Sequence, residues 1–443
     1  MSAPWAASAT GGARTRPPSR LPRLITSPGP LHLADHLGRY GPVPFGDGPG
    51  LISEVERSGL AGRGGAGFPA GRKLAAVAEA GRTARLRRGG GGTVVIANGA
   101  ESEPASAKDR LLLARAPHLV LDGIALAAEA VGATRGYLSV HAGQERLARQ
   151  LGAAIAEREY AGLNSVPVEL VTVPRGYVAS QETALISQLN GGAPKPAFVP
   201  PRPFERGAHG RPTLVHNVET LAHIALIGRF GASWFASAGT GGSALVTLGG
   251  SVNRPGVYEI PLGMPFGDLV RWADGPSEQP QAVLAGGYFG GWLPYQHALG
   301  IPVSDQALRA AGAALGPGVL ILLPESACGL AETAWVADYL ASQSAGQCGP
   351  CFNGLPALAD TLRHLAFGRA DRRGLDWAQR LLTLVARRGA CALPDGSAAF
   401  VASALQAFAG ELRQHATHGP CGRVRRRPML PAPGHTWGAG RLE

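Results

Sequence analysis

Three sets of residues in this chain have types and spacings that can do chemistry. The first is the run Gly62-Arg63-Gly64-Gly65-Ala66-Gly67-Phe68-Pro69-Ala70-Gly71, followed at once by Arg72 and Lys73. Glycines admit positive φ and let backbone N–H groups approach an anion closely, and lysine adds charge, so the run suits a phosphate or a flat cofactor. It is neither a Walker A loop nor a Rossmann fingerprint, because it lacks the Gly-Lys-Ser/Thr ending and a strand directly before it. The chain holds 64 glycines, so a glycine-dense loop is expected somewhere and this one needs company to mean anything. The second set supplies that company: Asn98-Gly99-Ala100-Glu101-Ser102-Glu103-Pro104 and His216-Asn217-Val218-Glu219-Thr220-Leu221. Carboxamides and carboxylates at strand ends can hydrogen-bond a cofactor, and they are also common turn formers. The third set is Cys348-Gly349-Pro350-Cys351, with Cys391 about forty residues later, which fits a metal site shared between two helix ends. Two small buried thiols and a redox dithiol are the alternatives. The five cysteines, Cys328, Cys348, Cys351, Cys391 and Cys421, all lie in the last third of the chain. An odd, clustered set in a cytosolic protein argues for metal ligation over disulfides.

The elements that must position these residues read as α/β. Val94 to Ala97, Tyr137 to Val140 and Val166 to Val173 read as strands. Pro117 opens a helix with apolar residues Leu121, Ile124, Leu126, Ala128 and Val131 on one broad face, and Gly132 can close it. A helix is expected from about Glu145 to Glu157, and Ser180 is expected to cap a short helix ending near Gly191 and Gly192. The Asn98 segment follows a strand, where open α/β sheets bind ligands. A second unit, around strands Leu245 to Leu248, Gly256 to Ile260 and Ala282 to Leu284 with a helix near Phe266 to Trp272, reads as a small β-grasp module. After Glu325 the pattern is helical, with segments near 330–343, 352–367, 375–388 and 397–414 that predict a four-helix unit.

At 443 residues the chain exceeds the about 250 to 300 at which single cores stop growing. The expected division is a flexible arm over 1–35, an α/β domain over 36–235, a β-grasp domain over 240–320, a helical domain over 325–420 and a basic flexible tail over 421–443. Val319 to Leu323, the longest candidate for a membrane span, is strand-sized, and Met1 to Pro30 has no continuous apolar stretch of the kind a signal peptide needs. These features predict a cytoplasmic protein, free or peripheral to a membrane complex, with no direct membrane insertion. The balance of 42 basic against 31 acidic residues, with clusters at Arg82, Arg85, Arg87, Arg88 and at Arg423, Arg425, Arg426, Arg427, points to an acidic partner. Nucleic acid is disfavoured, since no DNA- or RNA-binding motif accompanies the charge.

Gly59-Leu60-Ala61 through Lys73, Asn98 to Arg110, Tyr177 to Leu185 and Asn217 to Leu221 together resemble the NADH-binding flavoprotein subunit (the F subunit) of respiratory complex I and of related hydrogenases and formate dehydrogenases. The match runs from roughly Leu51 to His415. The resemblance implies that Arg63, Gly64, Gly65, Gly67 and Lys73 hold FMN and NADH. It implies that Asn98, Glu101, Tyr177, Ser180, Glu182, His216, Asn217 and Thr220 line the FMN pocket, with Gln181, Phe68 and Glu103 beside them. It also agrees with an FMN-binding α/β domain, an SLBB-like β-grasp domain and a C-terminal iron–sulfur domain. The Asn98 loop further resembles the C component of the Rnf membrane electron-transport complex, with Ser102 in place of a cysteine.

Departures from the family pattern sharpen the expectations. Ala100 stands where the family's N-A-D-E-x-E-P loop is acidic, and Gln181 replaces the first of two glutamates. Leu74, Ala76 and Arg202 stand near positions where aromatics stack on NADH, each such surface worth about 1 kcal/mol beyond burial. The family's 4Fe–4S cluster takes three cysteines in C-x-x-C-x-x-C spacing plus one distant cysteine. Here Cys348, Cys351 and Cys391 match three of them and Ala345 the fourth. A substitute ligand such as Cys328 or Cys421, an open or exogenous ligand, and no cluster all stand as outcomes. The expected function is an FMN oxidoreductase that takes a hydride from NADH or NADPH and passes electrons to an iron–sulfur centre and then to a small acidic ferredoxin-like protein or other electron-transfer subunit. The alternative is an assembly or relay module that keeps the fold without dinucleotide oxidation.

Overall fold

The computed structural model describes residues 21–88, 92–368, 370–425 and 427–431. Within the first unit four parallel strands, β1 (Thr93–Asn98), β2 (Ala133–His141), β3 (Val168–Val173) and β4 (Thr213–Asn217), form a sheet of order β3-β2-β1-β4. Side chains alternate across a strand. On β1, Val95 and Ala97 enter the large core under the helices, while Val94 and Ile96 enter a smaller cluster with Leu185 and Ala208. Strand order reverses between β1 and β4, and the two carboxyl ends, Asn98 and Asn217, lie in register side by side. Sheets of this kind bind ligands at such a switch point. Behind it the Pro117–Val131 and Val218–Phe230 helices meet at Gly123, where a Cβ would lie 2.1 Å from Leu221 O. Gly132 adopts φ 64° and closes the first of these helices as the sequence predicts.

The second unit is a mixed sheet of order β6-β5-β9-β7-β8, built from β5 (Ser243–Gly250), β6 (Gly256–Pro261), β7 (Pro280–Ala285), β8 (Gly291–Pro294) and β9 (Val319–Pro324). The apolar run on β9 is explained by burial on both faces. Val319, Ile321 and Leu323 face the helical unit, whereas Leu320 and Leu322 face Phe266, Leu269 and Val270 on the Phe266–Trp272 helix. The third unit has helices Gly329–Ser342, Leu355–Phe367, Arg372–Val385, Leu393–Ala407 and Ala409–His418. The last expected segment is thus two helices, broken at Phe408, whose ring packs against Trp292 and fills the space beside Gly329.

Three expectations change. Gln181, not Ser180, caps the Glu182–Leu189 helix: its side-chain oxygen accepts from Thr183 N and Ala184 N, while Ser180 O accepts from Asn98 Nδ2 at 2.8 Å. The second half of the expected arm is packed. Arg23 N and Leu24 N donate to Glu259 Oε2 at 2.7 and 2.8 Å, and the Arg23 guanidinium lies 4.1 Å from the Trp234 ring centre. The start of the expected tail is packed as well: Cys421 and Leu430 are buried, Leu430 N donates to Glu332 Oε2, and Arg425 Nη2 donates to Ser326 Oγ. Residues 1–20 and 432–443 lie outside the described residues, as do Arg426 and the side chains of Arg87 and Arg88. Among the described residues no single helix is long and apolar enough to cross a membrane.

Candidate functional site

The glycine run leaves the Gly48–Ser58 helix through Gly59 and forms an open turn that returns into the Ala70–Arg88 helix, pinned by an isolated bridge between Ala61 and Pro69. Gly65 and Gly67 have φ of 110° and 65°, a conformation only glycine adopts without strain. Gly64 abuts Asn217, where a Cβ would meet Asn217 Cβ at 3.2 Å. The turn therefore lies directly against the β1/β4 switch point, and together they open a cavity of about 500 Å³.

Of the cofactor-binding candidates, Gly64, Gly65, Gly67, Phe68, Lys73, Asn98, Glu101, Glu103, Tyr177, Ser180, Gln181, Glu182, His216, Asn217 and Thr220 all line this cavity. Arg63 does not. Its guanidinium is buried and donates to Gly241 O and Ser243 O at 3.1 and 2.9 Å, 3.8 Å from Glu219. Its contribution is a clamp between the first unit and β5. Leu74 lies fully buried in the core beneath the turn and Arg202 is exposed, so neither faces the cavity; aromatic rings that do are Phe68, 55% exposed, Tyr177 and Phe289.

Sequence reasoning missed the far wall. Gly286, Phe289, Arg309, Gly316 and Pro317 come from the second unit and Ala392 from the third, brought in by tertiary packing that no local pattern announces. It also missed Lys108. This buried ammonium lies 2.7 Å from Asp109 Oδ1, 2.8 Å from Glu219 Oε2 and 3.4 Å from Asn217 Oδ1. Burial alone would lower its pKa, but Asp109 and Glu219 hold it well above the usual lysine value. Burial would raise Glu219, yet Lys108, His223 and Arg63 bring it down to about 2. Burial pushes Asp109 up despite Lys108, with Glu101 and Glu219 adding to the rise.

Several polar candidates spend hydrogen bonds on the protein. Asn217 Oδ1 caps its helix by accepting from Glu219 N, and Asn217 Nδ2 donates to Asp109 Oδ2 at 2.6 Å. Glu101 accepts from Asp109 N at 3.1 Å, and Thr220 Oγ1 accepts from Arg63 N at 2.9 Å. Such bonds lock the walls before any ligand arrives. Glu103 is buried, accepting from Tyr177 Oη at 3.0 Å, Tyr288 N at 2.8 Å and Ala105 N at 3.2 Å. Burial outweighs these donors and pushes it up to about 7. Lys73 Nζ lies 2.6 Å from Glu182 Oε2 at the rim. His216 is held neutral, brought down to about 3 by burial and by the Lys73 charge. Its Nε2 is buried without a hydrogen-bond partner. An unpaired buried polar atom costs free energy unless a ligand satisfies it. The backbone cradle at Gly64 to Gly67 and the free His216 Nε2 both fit a flat, phosphate-bearing cofactor such as FMN.

Cys348, Cys351 and Cys391 converge beside this cavity. Burial raises Cys391 and pushes Cys351 up to about 12, with Cys348 contributing to both. Cys348 is lowered because N–H groups of Ala390 and Cys351 and the Cys351 thiol outweigh its burial. Ala392, next to Cys391, lines the cavity. The loop before Cys348 is tied to the first unit, Gln343 Oε1 accepting from Tyr177 N and Gln347 Nε2 donating to Pro196 O. Cys328 and Cys421, the candidate substitute ligands, are engaged instead with Glu411, His415 and each other. The donor set at the three cysteines therefore fits three corners of a cluster that needs four ligands.

Comparison with known proteins agrees with this division. The Nuo51 FMN-binding domain matches residues 55–226, the SLBB domain residues 245–288, and the NADH-ubiquinone oxidoreductase-F iron–sulfur binding region residues 325–415. One of the NADH-quinone oxidoreductase F subunits of Rhizobium meliloti, that numbered 2, is 31% identical over 400 residues, covering 87% of this chain and 91% of that one. The chain belongs to the F-subunit family of NADH-quinone oxidoreductases. Another member, from Streptomyces coelicolor, is 32% identical over 402 residues, covering 87% of this chain and 86% of its own. The HndC subunit of the NADP-reducing hydrogenase of Solidesulfovibrio fructosivorans is 29% identical, covering 84% of this chain and 77% of its own. Among solved structures, the NAD+-reducing NiFe-hydrogenase in its H2-reduced state superposes with a TM-score of 0.76 at 31% identity, over 85% of this chain and 63% of that chain. The chain thus spans under two thirds of that hydrogenase polypeptide. Members of the F-subunit family are FMN- and iron–sulfur-bearing electron-transfer proteins, which supports the oxidoreductase expectation over the assembly or relay module.

Proposed function

We propose that this protein takes a hydride from a nicotinamide dinucleotide at the Gly64–Gly67 cavity and delivers electrons singly to an iron–sulfur centre held by Cys348, Cys351 and Cys391. The observation that carries this reading is that Ala392, the neighbour of Cys391, lines the same cavity as the glycine turn. When bound, FMN supplies acceptance of two electrons together and their release one at a time. The chain's own residues bind and orient. Backbone N–H groups at Gly64 to Gly67 and the Lys73 ammonium hold phosphate, Asn98 and Asn217 set the floor at the switch point, and neutral His216 offers Nε2 to the ring system. Phe68 at the rim gives the dinucleotide a stacking surface, and Phe289 with Pro317 excludes water from the opposite wall.

Electrons leaving the centre pass to another electron-transfer subunit, and the net basic charge fits a small acidic ferredoxin-like carrier. Arg423 and Arg425 are already engaged by Glu411 and Ser326, so docking draws on the overall charge more than on that cluster. Anaerobic protein loaded with FMN should bleach on adding NADH or NADPH; a flavin that bleaches with neither dinucleotide but accepts electrons from a reduced ferredoxin refutes the hydride step.

A further inference from the structure

Away from the cavity, the helical unit buries a second set of soft ligands. Cys328 precedes the Gly329–Ser342 helix, His415 lies on the Ala409–His418 helix, and Cys421 follows that helix beyond Gly419. All three are buried, and their sulfur and nitrogen atoms lie within 4.8 Å of one another. Cys328 Sγ is 3.7 Å from His415 Nε2 and 3.4 Å from Glu411 Oε2. Two ligands at about 2.3 and 2.0–2.1 Å on a tetrahedral zinc ion stand about 3.6 Å apart, so both separations are those of a tetrahedron's edges.

The surroundings are those of a metal site's outer shell. His415 Nδ1 lies 3.2 Å from Leu365 O, so its proton belongs on Nδ1 and the lone pair on Nε2, facing the sulfurs. Cys421 N donates to that same Nε2 at 3.1 Å, which agrees with the tautomer and is the hydrogen bond that an ion at Nε2 must displace. Glu411 Oε2 also accepts from Leu330 N, and Oε1 is paired with Arg423 at 3.3 Å. Hydrogen bonding alone accounts poorly for the group, since thiols are weak donors and acceptors and two of them are buried here with an imidazole. We propose that Cys328, His415 and Cys421 hold a structural zinc ion, with Glu411, whose carboxylate lies 3.4 Å from Cys328 Sγ, moving inward as fourth donor. Two sulfurs, one nitrogen and one oxygen with no open position favour zinc and a structural role. Binding converts both thiols to thiolates and releases two protons to solvent, with no change of oxidation state. The ion fastens the segment from Cys421 to Pro431, which packs Leu430 into the core and receives the Tyr288 hydroxyl on Pro431 O.

The test is metal analysis of the full chain purified anaerobically without chelator. About one zinc per chain is expected beside iron, falling to near zero in Cys421→Ser while iron is unchanged, and staying at about one in Cys348→Ser. Cobalt(II) added to zinc-depleted wild-type protein should give a thiolate-to-cobalt charge-transfer band, a readout that does not depend on any variant folding. Wild-type protein with neither zinc nor a cobalt band overturns the site, as does loss of iron rather than zinc in Cys421→Ser, which would assign these thiolates to the cluster.

Discussion

Residue by residue, the cavity wall is a set of polar groups held in place by the protein's own hydrogen bonds. Glu103 carries the most testable consequence. Its folded-state pKa, about 7, lies above the ordinary value of 4.5, so it favours folding below about pH 4.5, and that contribution is lost as pH rises through about 7. The difference is on the order of 3 kcal/mol. Denaturation of Glu103→Gln should therefore depend less on pH between 4.5 and 7 than wild type, whereas parallel profiles would mean Glu103 does not titrate there. Phe68 is the other residue to change. Phe68→Ala should raise the KM for dinucleotide about fivefold, the cost of a lost stacking surface near 1 kcal/mol, with flavin content unaltered. An unchanged KM would remove Phe68 from the dinucleotide site. Asn98, Glu101, Glu103, His216, Asn217 and Thr220 were legible as polar residues at strand ends and the glycine run by its composition, whereas Tyr177 to Glu182 entered only through the family resemblance. Arg63 was misjudged because it belongs to the same glycine run, and only the fold reveals that its guanidinium turns toward Gly241 and Ser243.

Among the elements, legibility followed local pattern. The Phe266–Trp272 helix and the two-faced strand β9 were readable because apolar spacing and run length are local. The cap at Gln181 and the break at Phe408 were not, because a side chain's choice of partner and an aromatic wedge against Gly329 are set by neighbours in space. The helices behind the first sheet are joined by a buried group with no sequence signature. Asp122 accepts His36 Nε2 at 2.6 Å and pairs with Arg229 at 2.6 Å and Arg158 at 2.8 Å. Burial would raise it, yet these partners bring it down to about 2. Asp122→Ala would leave two buried guanidinium groups unpaired and should cost about 3–5 kcal/mol in denaturant unfolding. A loss under 1 kcal/mol would show that the arginines find other partners.

For the whole molecule, three units that are separate in sequence build one cavity. The first supplies the switch point and glycine turn, the second the wall from Gly286 to Pro317, and the third Ala392 beside Cys391. Residues expected to be flexible ends tie these units together: Arg23 N donates to Glu259 of the second unit at one end, and at the other Pro431 O accepts the Tyr288 hydroxyl of the second unit. Their Pro- and Arg-rich composition concealed that packing, since a few buried side chains suffice to anchor such a segment. Removing 421–431 should lower the thermal midpoint by several degrees, and an unchanged midpoint would mean the segment packs without stabilising. The central claim is that a hydride taken at the flavin cavity leaves as single electrons through the cysteine centre. It is tested most directly by mixing NADH, and separately NADPH, anaerobically with flavin-loaded wild-type protein and Cys391→Ser, following flavin absorbance and the EPR signal of reduced iron–sulfur. The account predicts bleaching in both proteins and an iron–sulfur signal that follows bleaching in wild type and is lost or altered in the variant. Wild-type flavin that never bleaches, or an identical iron–sulfur signal in the variant, would contradict it.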